Sequence, residues 1–208
     1  MRLTNFVYQG GDDCVAIKPR SHDISVKNVT CTSGNGIAIG SLGQYLEDSS
    51  VTNVEIDQAT LIKGGAQANI KNAVYIKTWV GELVSGGDRD YESDYQARGG
   101  GWGNVRNMLF TNFDVRGADA GGVITQNNGD NGTAAGTSNM LVSNVAFVNF
   151  TGYLDNKDTT TSISCSERNP CYNIEYVDYT LHQSVTTTEL GSAECKWVNK
   201  GGVHGVKC

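Results

Sequence analysis

Along this chain, short stretches alternate between apolar and polar residues: Val54-Glu55-Ile56, Val145-Ala146-Phe147-Val148 and Ile174-Glu175-Tyr176. A period of two marks a β-strand with one buried face. These stretches belong to a recurring tetrapeptide, Val-x-Asn-apolar. It reads Val26-Lys27-Asn28-Val29, Val51-Thr52-Asn53-Val54, Val105-Arg106-Asn107-Met108 and Val142-Ser143-Asn144-Val145, with Cys171-Tyr172-Asn173-Ile174 as a variant. The asparagines fall 25, 54, 37 and 29 residues apart, and the interval of 54 accommodates two periods of about 27 with Asn69-Ile70 between them. Short strands at such a repeat, without amphipathic helices between them, predict an all-β solenoid. Neither the leucine spacing of a leucine-rich repeat nor the longer blocks of a propeller is present. A β-sandwich is the structural alternative. In a parallel solenoid equivalent residues stack from coil to coil, and asparagine tolerates a left-handed corner while hydrogen-bonding along the stack. The repeated asparagines therefore read as structural.

Three stretches interrupt the pattern: 81–104, 126–139 and 184–208. The first two are polar and rich in glycine, as loops bordering a binding groove are. The last is expected to cap the open end of the solenoid and protect its edge. The whole chain, 1–208, reads as one domain.

Composition sharpens this. Glycine is abundant at 26 residues, proline is scarce at 2, and only 18% of residues are charged, which suits many short strands joined by tight turns. The net charge of −6 argues against a nucleic-acid partner, which needs a basic face. No run is long enough to span a membrane. The six cysteines, Cys14, Cys31, Cys165, Cys171, Cys195 and Cys208, contain no CxxC pair, so no metal site is expected. An even count suggests disulfides, and neighbour pairing is the simplest of about 15 connectivities. Sequons at Asn28, Asn131 and Asn149 are candidate glycosylation sites. Cysteines and sequons together favour a secreted, extracellular protein. Residues 1–20 carry no apolar signal-peptide core, so further sequence is expected upstream of Met1.

Three segments could carry chemistry. Asp12 and Asp13 follow Gly10-Gly11. Neighbours on a strand point to opposite faces, so both carboxylates can serve one site only if the backbone turns there, as glycines allow. Adjacent carboxylates repel and tend to share a proton, and a protonated acid beside an ionised carboxylate is what glycosidic cleavage needs. The segment Gly34-Asn35-Gly36 lies one coil later, where stacking could bring Asn35 near the pair. Its glycine spacing is not that of a dinucleotide loop. In Val74-Tyr75-Ile76-Lys77-Thr78-Trp79, alternation places Tyr75, Lys77 and Trp79 on the face opposite Val74 and Ile76. Aromatic rings and a lysine on one open face suit an anionic sugar.

Taken in order, GGDDCVAIKP, GNGIAIGSLGQY, YIKTW, GGGWGNVRNMLFTNF and GGVITQNNGDNG resemble family 28 of the glycoside hydrolases, the polygalacturonase family, across essentially the whole chain. The resemblance implies a right-handed parallel β-helix, incomplete at its N-terminal end, with the three neighbouring cysteine pairs as its disulfides. It implies an inverting hydrolase of α-linked galacturonan or rhamnogalacturonan, free of cofactors. Asp12 would be the general acid and Asp13 would help activate water. Lys77 would bind a substrate carboxylate, with Gln126 and Asn128 also at the substrate. The chain departs from the family pattern at several points, among them Asn128, which stands where the family has a substrate-contacting tyrosine. The third aspartate, of an Asn-Thr-Asp motif, would lie upstream of the pair. Asn35 stands where the family has a histidine, and Tyr75 where it has an arginine. These changes point to exo action, as in a galacturan 1,4-α-galacturonidase, or to a carbohydrate-binding protein without activity. The coil edge left open at the N-terminus is expected to promote self-association.

Overall fold

The structure is a computed structural model and describes residues 1–64, 69–84 and 97–208. Twelve strands wind into a parallel β-helix. They are β1 (Arg2–Gln9), β2 (Asp13–Ile17), β3 (Ser21–Thr32), β4 (Gly36–Leu42), β5 (Val51–Ile62), β6 (Ile70–Trp79), β7 (Trp102–Asn128), β8 (Asn139–Leu154), β9 (Thr159–Ser164), β10 (Tyr172–His182), β11 (Ser192–Lys196) and β12 (Val203–His204). One face stacks β1, β3, β5, the first half of β7, β8, β10 and β12. The other stacks β2, β4, β6, the second half of β7, β9 and β11. Every ladder between these strands is parallel, so each coil lays its residues directly over those of the coil before it.

The core is the inward half of the alternation. Phe147 stacks between Phe110 and Tyr176, with ring centroids 5.3 and 4.8 Å apart. Phe150 lies between Phe113, on which it stacks at 4.3 Å, and Tyr179, whose ring is tilted by 31° at 5.2 Å. Burial pushes the hydroxyls of Tyr176 and Tyr179 well above the usual tyrosine range. Each finds a partner: Tyr176 lies 3.0 Å from Thr161 Oγ1, and Tyr179 Oη accepts from the Gly122 N–H at 2.8 Å.

The asparagine repeat is a pair of ladders rather than one. Asn173, Asn144, Asn107, Asn53 and Asp23 share a column, all with positive φ, and each amide donates to the next side chain at 2.8, 3.4, 3.0 and 2.9 Å. A second column, five residues on, contains Asn149, Asn112, Gln58, Asn28 and Asn5, again at positive φ. The repeat read from the sequence needs correcting at two points. Asn28 belongs to the second column, because Asp23, not Asn28, lies beside Asn53. The interval of 54 is a single enlarged coil, since Val54 pairs directly with Met108. Asn69-Ile70 leads into β6 on the other face.

Disulfides join Cys14 to Cys31, Cys165 to Cys171 and Cys195 to Cys208. Within residues 184–208, β11 and β12 lie along β9 and β10. The stretch 126–139 is shorter as a loop than expected, because β7 continues through Asn128. In 81–104, Val84 and Arg98 form an antiparallel bridge, and residues 85–96 lie outside the described residues.

Candidate active site

The strands β2, β4, β6 and the second half of β7 present an open groove of about 530 Å³. At one end the chain leaves its regular path at Gly10-Gly11 and re-enters at Asp13, the first residue of β2. A Cβ on Gly10 would lie 2.2 Å from the Tyr8 hydroxyl, so a larger residue there would require the Tyr8 ring to move. The turn lets both carboxylates face the same amide. Asn35 Nδ2 donates to Asp12 Oδ1 at 2.8 Å and to Asp13 Oδ1 at 3.1 Å. Asp12 Oδ1 also accepts the Asp13 backbone N–H at 2.9 Å.

The two glycines around Asn35 make this placement possible. Gly34 and Gly36 have φ of +88° and +83°, a region that side chains disfavour. Added Cβ atoms would come within 2.2 Å of the Asp12 carbonyl and 1.8 Å of the Asn72 carbonyl. Neighbouring coils thus approach so closely that only glycine fits on either side, and the asparagine between them is aimed across the coil boundary at the aspartates.

Parallel register carries the site across the next coils. Ala38, Tyr75 and Val123 form one outward row, and Gly40, Lys77 and Thr125 the next. Lys77 Nζ lies 5.5 Å from the centre of the Tyr75 ring, within cation–π range. Burial raises the Tyr75 hydroxyl above its ordinary value. Asp13, Asn35, Tyr75, Lys77 and Asn128 all line the groove.

Two residues expected at the substrate are elsewhere. Gln126 is fully buried. Its amide donates to the Met140 carbonyl at 2.8 Å and its Oε1 accepts from the Ser166 backbone at 3.1 Å. It is an internal brace between β7 and the following coils, and substrate cannot reach it. Alternation along β7 accounts for this, since Thr125 faces out and Gln126 therefore faces in. Trp79 packs with Val80, Val84 and Ala134 and lies against Gly129, where an added Cβ would meet its ring at 2.2 Å. It supports the loop after Asn128 and does not line the groove.

The groove also contains Lys71, Asn72 and Asp119, which sequence reasoning missed. In β6, Ala73 and Val74 are both buried, so counting back by twos from Lys77 fails to reach Asn72. Asp119 lies in a run of small residues with no periodic signal; in the fold it is held by Lys157 at 3.8 Å. Of the three sequons, Asn131 is exposed in the loop after β7, whereas the amides of Asn28 and Asn149 donate to Asn5 and Asn112.

Comparison with known proteins comes to the same architecture. A model of the family described as Glycosyl hydrolases family 28 matches residues 1–204. The chain is 56% identical over 207 residues to the putative galacturan 1,4-alpha-galacturonidase C of Aspergillus niger, covering 99% of this chain and 48% of that protein. It is 32% identical over 193 residues to the probable exopolygalacturonase X of Neosartorya fischeri, covering 90% of this chain and 42% of that protein. A solved structure, endo-xylogalacturonan hydrolase from Aspergillus tubingensis, matches with a TM-score of 0.76 at 25% identity, over 100% of this chain and 49% of its own. The chain thus spans about half the length of the curated relatives it matches.

Proposed function

This chain belongs to family 28 of the glycosyl hydrolases, and on that premise we propose that its groove cleaves α-linked galacturonides of pectin from a chain end, in the extracellular space. The observation that carries this reading is the shared amide: Asn35 binds both Asp12 and Asp13, and the groove that Asp13 and Asn35 line also contains Lys77.

In this reading Asp12 is the general acid. The bonds from Asn35 and from the Asp13 backbone both fall on Oδ1, which leaves Oδ2 to carry the proton to the leaving oxygen. Asp13 keeps its second oxygen for the attacking water. Lys77 pairs with the carboxylate of the uronide being cleaved. Beside it, Tyr75 offers a protonated hydroxyl and the edge of a ring to the sugar, and Asn128 closes the same side with an amide. Inversion follows if water attacks from the face opposite the leaving group, and proton NMR of the first-formed anomer reads it. The relative named as a probable exopolygalacturonase supports action from an end.

A second reading is recognition without turnover. It is favoured by Asn35 itself, which supplies hydrogen bonds but cannot titrate as the histidine implied by the family resemblance would. One experiment separates the two. Purified protein is incubated with oligogalacturonides beside an Asp12→Asn control. Release of monogalacturonate, reduced at least about 100-fold in the control, supports the hydrolase. Binding without release from either protein supports recognition alone.

A further inference from the structure

A second groove, of about 460 Å³, opens where β2 and β4 end, lined by Lys18, Arg20, Ser41, Gln44, Tyr45 and Ser49. It is distinct from the first groove but adjoins it. Ser41 stands three residues beyond Ala38 on β4, roughly 10 Å at the rise of a strand.

The second groove contains two cations, one carboxylate (Glu47), an aromatic ring and a set of unused polar groups, and Asp48 also feels the charge of Arg20. Among the described residues, Lys18 Nζ has one partner, the Gly40 carbonyl at 2.7 Å. Arg20 meets Glu47 at 3.2 Å, with the two side chains 66% and 36% exposed. An ion pair this exposed is weak, so an incoming carboxylate can displace Glu47. Tyr45 is exposed, and the side chains of Ser41, Gln44 and Tyr45 have no hydrogen-bond partner among the described residues. Ser49 Oγ is buried under the same groove without a partner, a costly state that an arriving polar group would relieve after a small adjustment.

We propose that this groove is a second binding site for a carboxylate-bearing oligosaccharide. The Tyr45 ring stacks on a sugar face, Lys18 and Arg20 take uronate carboxylates, and Ser41 and Gln44 bond hydroxyls. A small inorganic anion would leave the aromatic ring and the amide idle. A neutral sugar would leave both cations without a partner. An acidic glycan uses all of them, in a protein whose overall charge of −6 otherwise disfavours acidic ligands. The choice of uronide as ligand rests on the reading of the first groove, and the test keeps the two apart.

Calorimetric titration of the full chain with hexagalacturonate, and with its methyl-esterified counterpart, tests the site in three proteins: Lys77→Ala, Lys77→Ala/Tyr45→Ala and Lys77→Ala/Lys18→Ala. Lys77→Ala disables the first groove and should still bind hexagalacturonate. The added Tyr45→Ala or Lys18→Ala should weaken that residual binding about tenfold, and methyl esterification should weaken it similarly. Because Tyr45 and Lys18 are exposed, thermal melts of the double variants should match the single one. Residual binding that ignores both substitutions overturns the proposal, as does its absence from Lys77→Ala. Failure to hydrolyse, with Tyr45-dependent binding intact, counts against the catalytic reading and for the second groove. Hydrolysis without Tyr45-dependent binding does the reverse.

Discussion

At the scale of single residues, Asn35 has the largest consequence for its size. Its two amide hydrogens are both committed, one to each aspartate, so it sets the distance between the two carboxylates and, in the proposed site, the angle at which they would face a substrate. Asn35→Ala should lower turnover about 100-fold through misplacement of these groups, while KM moves much less because Lys77 is untouched; steady-state kinetics on oligogalacturonides checks this. A second residue-scale effect concerns acid. Asp57 accepts from the Asn112 amide at 2.7 Å and pairs with Lys27 at 2.9 Å, and these partners, Asn112 foremost, hold its carboxyl below the ordinary 3.8. A depressed folded-state value means that the stabilisation is present above 3.8 and is lost as the pH falls through the folded value. Melting temperature should therefore decline on acidification below pH 3.8, and Asp57→Asn should show a shallower decline.

At the scale of elements, the asparagine ladders define the corner where each strand on the first face bends. Asn107 sits in the middle of one, donating to Asn53 and accepting from Asn144, with φ of 58°. Asn107→Ala loses both bonds and forces a Cβ without polar compensation into the left-handed region, at a cost of about 2–3 kcal/mol. Asn107→Gly loses the same bonds but relieves the backbone, and should cost about 1 kcal/mol less. Denaturant unfolding of the two variants separates the hydrogen-bond contribution from the conformational one. Equal destabilisation would mean that the left-handed corner is not under strain. The ladders also explain why these asparagines follow no hydropathy pattern: they lie between inward positions and answer to the corner, not to the core.

At the scale of the whole molecule, the two ends of the solenoid differ. β11 and β12, tied by the Cys195–Cys208 disulfide, lie along the last long strands. Among the described residues, β1 and β2 pair on one side only, with β3 and β4. Beside that edge, Leu3, Phe6 and Tyr8 are only partly buried. An open strand edge over exposed core invites pairing with another chain. Light scattering of the 208-residue chain should show association that grows with concentration, and a monomer at all concentrations would count against it. The Cys14–Cys31 bridge, closing 17 residues of sequence, ties that end coil to the next, and by loop-closure entropy is worth about 3 kcal/mol.

What the sequence determined by itself was the solenoid and the juxtaposition of several candidate site residues. Alternation at a coil-length repeat requires stacked short strands, and Gly-Gly-Asp-Asp, Gly-Asn-Gly and Tyr-Ile-Lys lie at intervals that parallel stacking converts into neighbours. Register within the stack was beyond it. The Val-x-Asn pattern occurs at two corners per coil, and a local motif cannot say which of them Asn28 occupies or how much chain the coil from Asn53 to Asn107 holds. Only tertiary structure decided which polar side chains reach solvent. Gln126 turned inward because its neighbour Thr125 took the outward place, Trp79 was covered by the loop at Gly129, and Asn72 and Asp119 entered the groove where paired buried residues or small residues break the alternation. Each of these depends on contacts between coils tens of residues apart, and that information resides in the packing of the coils against one another.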